Sequence, residues 1–233
     1  MIKLNLIYQY QTLSKARVLE GVGRLPEIID VKLKGFSGYS KRMKVSHKPS
    51  FNLDTEGLSV GCNDSGRYKF SRVSINFKID NVEIVEKLVR NFLQCGDFLH
   101  AWAVDDEYWF WQNTDGPDAY DRRGRSYEGL PMRHNGQPSP LDRMVIDTTS
   151  NPGREVFHKG YKEAVGGVAW YSEAFFGITG ANKDELLAQD EYEISEEDEI
   201  IRVILDESFL TDAEGDKKLE ERQNKLRKIL YPA

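Results

Sequence analysis

Apolar and polar residues alternate from the start of the chain, with Leu4, Leu6, Tyr8 and Tyr10 on one side and Lys3, Asn5 and Gln9 on the other. That is the two-residue period of a half-buried strand. A helix is predicted over 14–22 and strand-like pieces over 28–33. From Phe70 the alternation sharpens: Val73, Ile75, Phe77 and Ile79 face inward, while Arg72, Ser74, Asn76 and Lys78 face water. This predicts an antiparallel strand with one wet face. Asp80 or Asn81 can then cap a helix whose Val82, Val85, Leu88, Val89 and Phe92 recur at helical spacing, with Gly96 suited to its end.

Strands are predicted at 98–104 and 108–112, joined by a turn at Asp105, Asp106 and Glu107. Residues 114–142 are polar, rich in glycine and proline, and read as one long loop. Beyond it come a short strand at 144–148, a glycine-rich turn in "VGGVAW", a helix from Ser172, a helix over 183–189, a strand over 200–205 and a last helix over 212–230. Leu219, Leu226, Ile229 and Leu230 form the apolar stripe of that helix. Hairpins mixed with helices, and no internal repeat, point to an α+β fold with a mixed or mainly antiparallel sheet, flanking helices and a long irregular loop. The expected organisation is one domain over 1–233, with sub-regions 1–113 and 143–233 joined by the loop 114–142.

Composition narrows the class. At 233 residues, 39% apolar and 11% aromatic, the chain can build a sizeable core. A basic start followed by an apolar leader is missing from "MIKLNLIYQYQ", and nowhere do eighteen apolar residues run together, so neither a leader nor a membrane span is expected. Cys62 and Cys95 are too few for a disulfide framework and lack metal-ligand spacing, which suits a reducing compartment and a cytoplasmic protein. A net charge of -6 disfavours a general nucleic-acid binder. It leaves a basic protein partner open.

Signals for chemistry are few. His47, His100, His134 and His158 are scattered, with no pairing that would hold zinc. "GVGR" at 21–24 lacks the spacing and the Lys-Ser/Thr of a phosphate loop, and there is no GxSxG elbow. No cofactor and no metal is expected. A carboxylate pair such as Asp105 and Glu107 beside tryptophans would suit a glycosidase, but acidic pairs in turns are common and the turn is the simpler reading.

Charge is unevenly spread. Between Asp30 and Asp54 stand Lys32, Lys34, Lys41, Arg42, Lys44 and Lys48 and no acid, whereas 105–121 and 184–199 hold acids and no base. Such a dipolar surface steers an oppositely charged partner, although charge runs are as often plain solvated faces. The first acidic run lies in "HAWAVDDEYWFW" (100–111), which carries three of the four tryptophans. On a strand, Trp109 and Trp111 would face one way and Tyr108 and Phe110 the other. One face would be core and the other would lie under the loop or at an interface. Large rings beside carboxylates suit a docking surface for a basic protein. The candidate partner-binding residues are Asp105, Asp106, Glu107, Tyr108, Trp109, Trp111, Asp115 and Asp118.

The C-terminal third adds a pattern: "VGGVAWYSEAFFGITGANKDELLAQ" (165–189), "IIRVILDESFL" (200–210) and "RQNKLRKIL" (222–230). In its glycine-rich turn, aromatic pair before a helix, short leucine-containing helix, Ile/Val-Arg-Leu strand and closing helix, it resembles the immunity protein 52 family. Those are small cytoplasmic proteins found beside polymorphic or type VI secretion toxins. Trp170, Phe175, Phe176 and Leu186 look like core, and Gly166, Gly167 and Gly180 like turn positions. The resemblance implies a non-catalytic protein that binds and neutralises a cognate toxin, commonly a nuclease, by stoichiometric blocking. Two other classes stay open: an enzyme acting on carbohydrate or nucleotide through paired carboxylates, and an accessory phage or mobile-element protein whose basic segment 32–48 touches nucleic acid.

Overall fold

A computed structural model describes residues 1–45, 50–78, 81–211 and 216–232. The first part of the chain runs β1 (Ile2–Gln9), α1 (Lys15–Gly23), α2 (Leu25–Ile28), α3 (Phe36–Val45), β2 (Phe51–Thr55), β3 (Leu58–Ser65), β4 (Phe70–Phe77), α4 (Val82–Leu93) and β5 (Phe98–Asp105). It continues through α5 (Asp106–Asn113), α6 (Pro117–Arg122), β6 (Met132–His134), β7 (Met144–Ile146), β8 (Val156–Phe157), β9 (Lys162–Glu163) and β10 (Val168–Ser172). The last elements are α7 (Glu173–Thr179), α8 (Lys183–Leu187), β11 (Glu193–Glu197), β12 (Ile200–Ile204) and α9 (Lys217–Leu230).

Eight strands make one antiparallel sheet in the order β11-β12-β10-β5-β1-β4-β3-β2. The α+β class with a mainly antiparallel sheet is as the sequence predicts. Alternation assigns each strand residue to a face. One face carries Leu4, Leu6, Tyr8, Val73, Ile75, Phe77, Ala101 and Trp170, and is covered by α1, α2 and α4 through Val18, Leu19, Val22, Leu25, Leu88 and Phe92. The other carries Ile7, Trp102, Val104, Ala169 and Tyr171 beneath α5, α7, α8 and α9, and Leu99 joins it where the β1–β5 register shifts between Ile7 and Tyr8. Over β4, β3 and β2 this second face is polar, with Asn52, Gly61, Asn63, Arg72 and Ser74 lining an open groove of about 520 Å³. The wet face predicted for the strand at Phe70 is this surface, and Ile79 and Asp80 lie outside the described residues.

Local chemistry accounts for the boundaries. Ser14 accepts from the Arg17 amide at the start of α1, and Asn81 from that of Ile84 at the start of α4. The helix α4 ends at Gln94 rather than Gly96. Gly96 instead lets its backbone pass Leu13, where an added Cβ would stand 3.0 Å from the Leu13 Cα.

Three expectations need correction, and the basic stretch takes a form for which no element was predicted. The segment 28–33 is not strand: Pro26 sits in the first turn of α2, and the chain then leaves the helix without joining the sheet. Lys41, Arg42 and Lys44 of the basic stretch lie in α3, whose Phe36, Tyr39 and Met43 pack on the first core; Lys32 and Lys34 precede it, and His47 and Lys48 lie outside the described residues. The 114–142 segment is not one loop, since it holds α6 and β6, and β6 pairs with β7. The stretch 108–112 is helix rather than strand, for the reason given below. The last helix is described from Lys217, capped by Asp216, with Leu226, Ile229 and Leu230 buried and Leu219 packed beside them as its stripe predicts.

Candidate functional site

The strip at 105–111 begins where β5 ends. Asp105 Oδ1 accepts from the amides of Glu107 (2.9 Å) and Tyr108 (3.1 Å), which makes it the N-cap of α5. Asp106 and Glu107 then occupy the first helical turn, where carboxylates meet the positive end of the helix dipole. The three acids predicted as a hairpin turn are thus a helix start.

The helical twist replaces the two-residue alternation. Tyr108 is buried in the second core, and Phe110 in a smaller cluster with Tyr120 and Ile146. Trp109 and Trp111 are half-buried, each beneath a cation: Lys3 Nζ lies 3.0 Å from the Trp109 ring centroid, and the Arg125 guanidinium 5.7 Å from that of Trp111. Trp111 packs edge-on against Phe110 and Tyr120.

The acids that reach solvent are matched by arginines from 122–133. Arg123 holds Asp106 and Glu107 at 3.0 Å each, and Arg125 also reaches Glu107 at 2.6 Å. Arg122 holds Asp118 at 3.0 Å, and Arg133 lies 4.0 Å from Asp115. The structure therefore gathers Asp106, Glu107, Trp111, Asp115 and Asp118 on one lobe, but with interleaved charge rather than as an acidic face. Asp105 and Tyr108 are buried supports. The arginines follow the acids directly in sequence, at Arg122, Arg123, Arg125 and Arg133; that order is the signal by which the pairing could have been anticipated.

Where this lobe meets the sheet lies a buried polar seam. Desolvation lowers the Lys3 ammonium to about 8, although Glu155 and Asp106 favour its charge. Lys162 is buried in an ion pair with Glu155, and burial lowers its pKa as well. Asn5 is fully buried with neither side-chain atom hydrogen-bonded. His100 is enclosed by Trp102, Tyr171 and Phe175, both ring nitrogens without a partner, and burial lowers it to about 3. His134 pairs with Asp142 and His158 with Glu163. Among the described residues, no group of three or more His, Cys, Asp or Glu is placed to hold a metal ion, and no helix is long and apolar enough to cross a membrane.

The resemblance residues take scaffold positions. Trp170, Phe175, Phe176 and Leu186 are buried. Gly180 closes α7 with a left-handed φ of 74°, as a turn position should. Gly166 and Gly167 serve close approach instead: an added Cβ would lie 2.4 Å from the Ala103 carbonyl oxygen and 2.6 Å from the Phe209 Cα, respectively.

No family model matches the chain, and no curated protein matches it. Among solved structures it is similar to the Pseudomonas aeruginosa T6SS protein PA0821, with a TM-score of 0.53 and 10% sequence identity over 99% of this chain and 73% of that one. The two share a fold.

Proposed function

We propose that this chain is an immunity protein that binds a cognate secreted toxin and blocks it stoichiometrically, without cofactor or chemistry of its own. The observation that carries this reading is the fold likeness to a T6SS protein over nearly the whole chain. The glycine-aromatic pattern of the C-terminal third agrees with it. The lobe favours binding over catalysis for a physical reason. Of the two carboxylates a hydrolytic mechanism would use, Asp105 is the buried cap of α5 and Glu107 is held by Arg123 and Arg125, and an acid or base so engaged is poorly placed to pass a proton to a substrate.

On this reading the toxin meets a surface of alternating charge around Trp111. A nuclease is the toxin class that suits it best, since carboxylates there would stand in for nucleic-acid phosphates at the enzyme's cations. The test is co-expression with the toxin encoded beside this gene, scored for rescued growth and for a complex that survives size exclusion at physiological salt. Rescue with a stable complex is expected. Undiminished toxicity with no complex would remove the immunity reading for that pair. The variant Glu107→Ala with Asp115→Ala, which leaves the Asp105 cap in place, should slow association and reduce its dependence on salt.

A further inference from the structure

The hairpin of β6 and β7 stands apart from the main sheet, and its two strands pair with each other alone. The Asp147 amide donates to the Pro131 carbonyl and the Asn135 amide to that of Arg143. By the alternation of an antiparallel ladder, Arg133 then bonds toward β7 as well, and the backbone groups of Met132 and His134 point away from it. On the far side of the hairpin the Ile146 amide donates to the Asp115 carbonyl at 2.9 Å. Beyond β6, among the described residues, no strand follows. Its outer edge is open apart from the His134 carbonyl, which accepts from Arg133 Nη1 at 3.3 Å.

The same hairpin bares apolar side chains. Of the seven large hydrophobic residues exposed among those described, three lie between 132 and 144: Met132 at 38%, Leu141 at 66% and Met144 at 45%. Met132 stands opposite Ile146 and Met144 opposite His134, so these four share one face. Ile146 roots that face in the cluster with Phe110 and Tyr120, and the two methionines carry it on into solvent. Leu141 lies on the joining loop beside Asp142, which pairs with His134 at 3.1 Å. Grouped exposed apolar residues mark a protein contact, and methionine adapts readily to a partner's shape. The short length of β6 and the Pro131 before it are devices that blunt an edge. A guard explains those two features; it does not explain apolar side chains bared beside them.

Charge selects the partner. The net charge of -6 lies wholly outside this hairpin, since between 131 and 147 Arg133 and Arg143 balance Asp142 and Asp147. Arg133 on β6 itself is met by Asp147 at 3.6 Å and Asp115 at 4.0 Å. A strongly charged partner of either sign gains little at such a surface. A second copy suits it, because a two-fold axis sets each residue near its own image, which a balanced, apolar patch tolerates and a patch of one sign does not. We propose that β6 is the seam of a symmetric homodimer, in which β6 of one copy pairs antiparallel with β6 of the other. The two hairpins become one four-stranded sheet, and Met132 and Met144 of both copies make a shared apolar layer with Leu141 at its rim. Pairing at an open edge supplies main-chain hydrogen bonds. Three residues supply few of them, so the apolar layer carries most of the affinity. The inference goes beyond the toxin reading and does not depend on it.

The test is sedimentation velocity of the full chain, without toxin, over a hundredfold range of concentration. A shift from monomer to dimer with rising concentration is expected, little changed by added salt because ion pairs contribute little to the seam. Two variants at exposed positions locate it, and circular dichroism checks that each stays folded. Leu141→Lys with Met144→Lys sets like charges across the two-fold axis and should weaken dimerisation at least tenfold. Met132→Pro removes an amide that points away from β7, so the hairpin keeps its own ladder while dimerisation weakens several-fold. A chain that stays monomeric throughout would overturn the proposal, as would a dimer that the double lysine variant leaves unchanged. A dimer indifferent to Met132→Pro would overturn it too, since the strands would then not be paired. Association that falls steeply with salt would place the contact on charged surfaces elsewhere and have the same consequence. Each of these failures leaves the toxin reading untouched.

Discussion

Tyr108 donates its hydroxyl proton to Gln223 Oε1 across 2.6 Å, joining α5 to α9 inside the second core. Gln223 passes the link on, its Nε2 donating to the Val165 carbonyl at 2.7 Å. The ring that looks like a binding anchor from sequence is therefore a strut between the lobe and the closing helix. Tyr108→Phe leaves the buried Gln223 oxygen unpaired, and we expect a loss of about 1–2 kcal/mol. Chemical denaturation should show it as a lower midpoint at unchanged slope. The toxin complex should still form, because the hydroxyl faces no solvent.

Gly166 and Gly180 separate two uses of glycine. At Gly166 the Ala103 backbone stands where a side chain would go, so Gly166→Ala must push β10 from β5; the expected cost is about 3 kcal/mol. At Gly180 nothing lies within 4 Å of an added Cβ, and only the left-handed φ resists substitution. Gly180→Ala should therefore cost about 1 kcal/mol. Thermal melts of the two variants side by side check the order, and equal losses would contradict the close approach seen at Ala103.

Arg123 sets the charge of the lobe. Removing it takes the arginine from Asp106, leaves Glu107 to Arg125 and uncovers the Phe110 ring 4.2 Å beneath the guanidinium; exposed pairs of this kind contribute no more than about 1 kcal/mol, and the cation over the ring about as much. Arg123→Ala should thus lower stability by no more than about 2 kcal/mol while making the patch acidic. Toward a basic toxin the association rate should rise several-fold at low salt and return to the wild-type value as salt screens the added charge. Stopped-flow kinetics over a salt series read both. A slower rate for the variant would mean that the arginine, not the acids, meets the partner.

The sequence made some of this plain, and for physical reasons. The strand at Phe70, the helix capped by Asn81 and the closing helix are amphipathic at their proper periods, because each buries one face and wets the other. The start of α5 was misread because Asp105 to Glu107 suit a hairpin turn and a helix N-cap equally well, and the spacing of its aromatics fits either element. Strand β11 escaped notice because an edge strand need bury only Ile194 and can carry glutamates elsewhere. The lobe's acids looked free because their partners lie 4–18 residues further along the chain, and only the fold of α6 and β6 brings them back.

His100 stands stacked on Trp102 at 5.3 Å between centroids, with neither nitrogen hydrogen-bonded, and burial together with the nearby Lys162 lowers it to about 3. In the fold it stays neutral down to that pH, whereas in the unfolded chain it takes up a proton near 6.5. Between about 6.5 and 3 the unfolded state thus binds more protons, so stability is full above 6.5 and declines as the pH falls, by up to about 1.4 kcal/mol per pH unit. Phenylalanine fills similar space, keeps the stack and has no nitrogen to desolvate. His100→Phe should therefore raise stability at pH 7 by about 1 kcal/mol and flatten the decline between pH 6.5 and 5, where few carboxylates titrate. Urea titrations of both proteins across that range make the comparison. Parallel curves would show that the His100 ring reaches water or finds a partner the packed core does not provide.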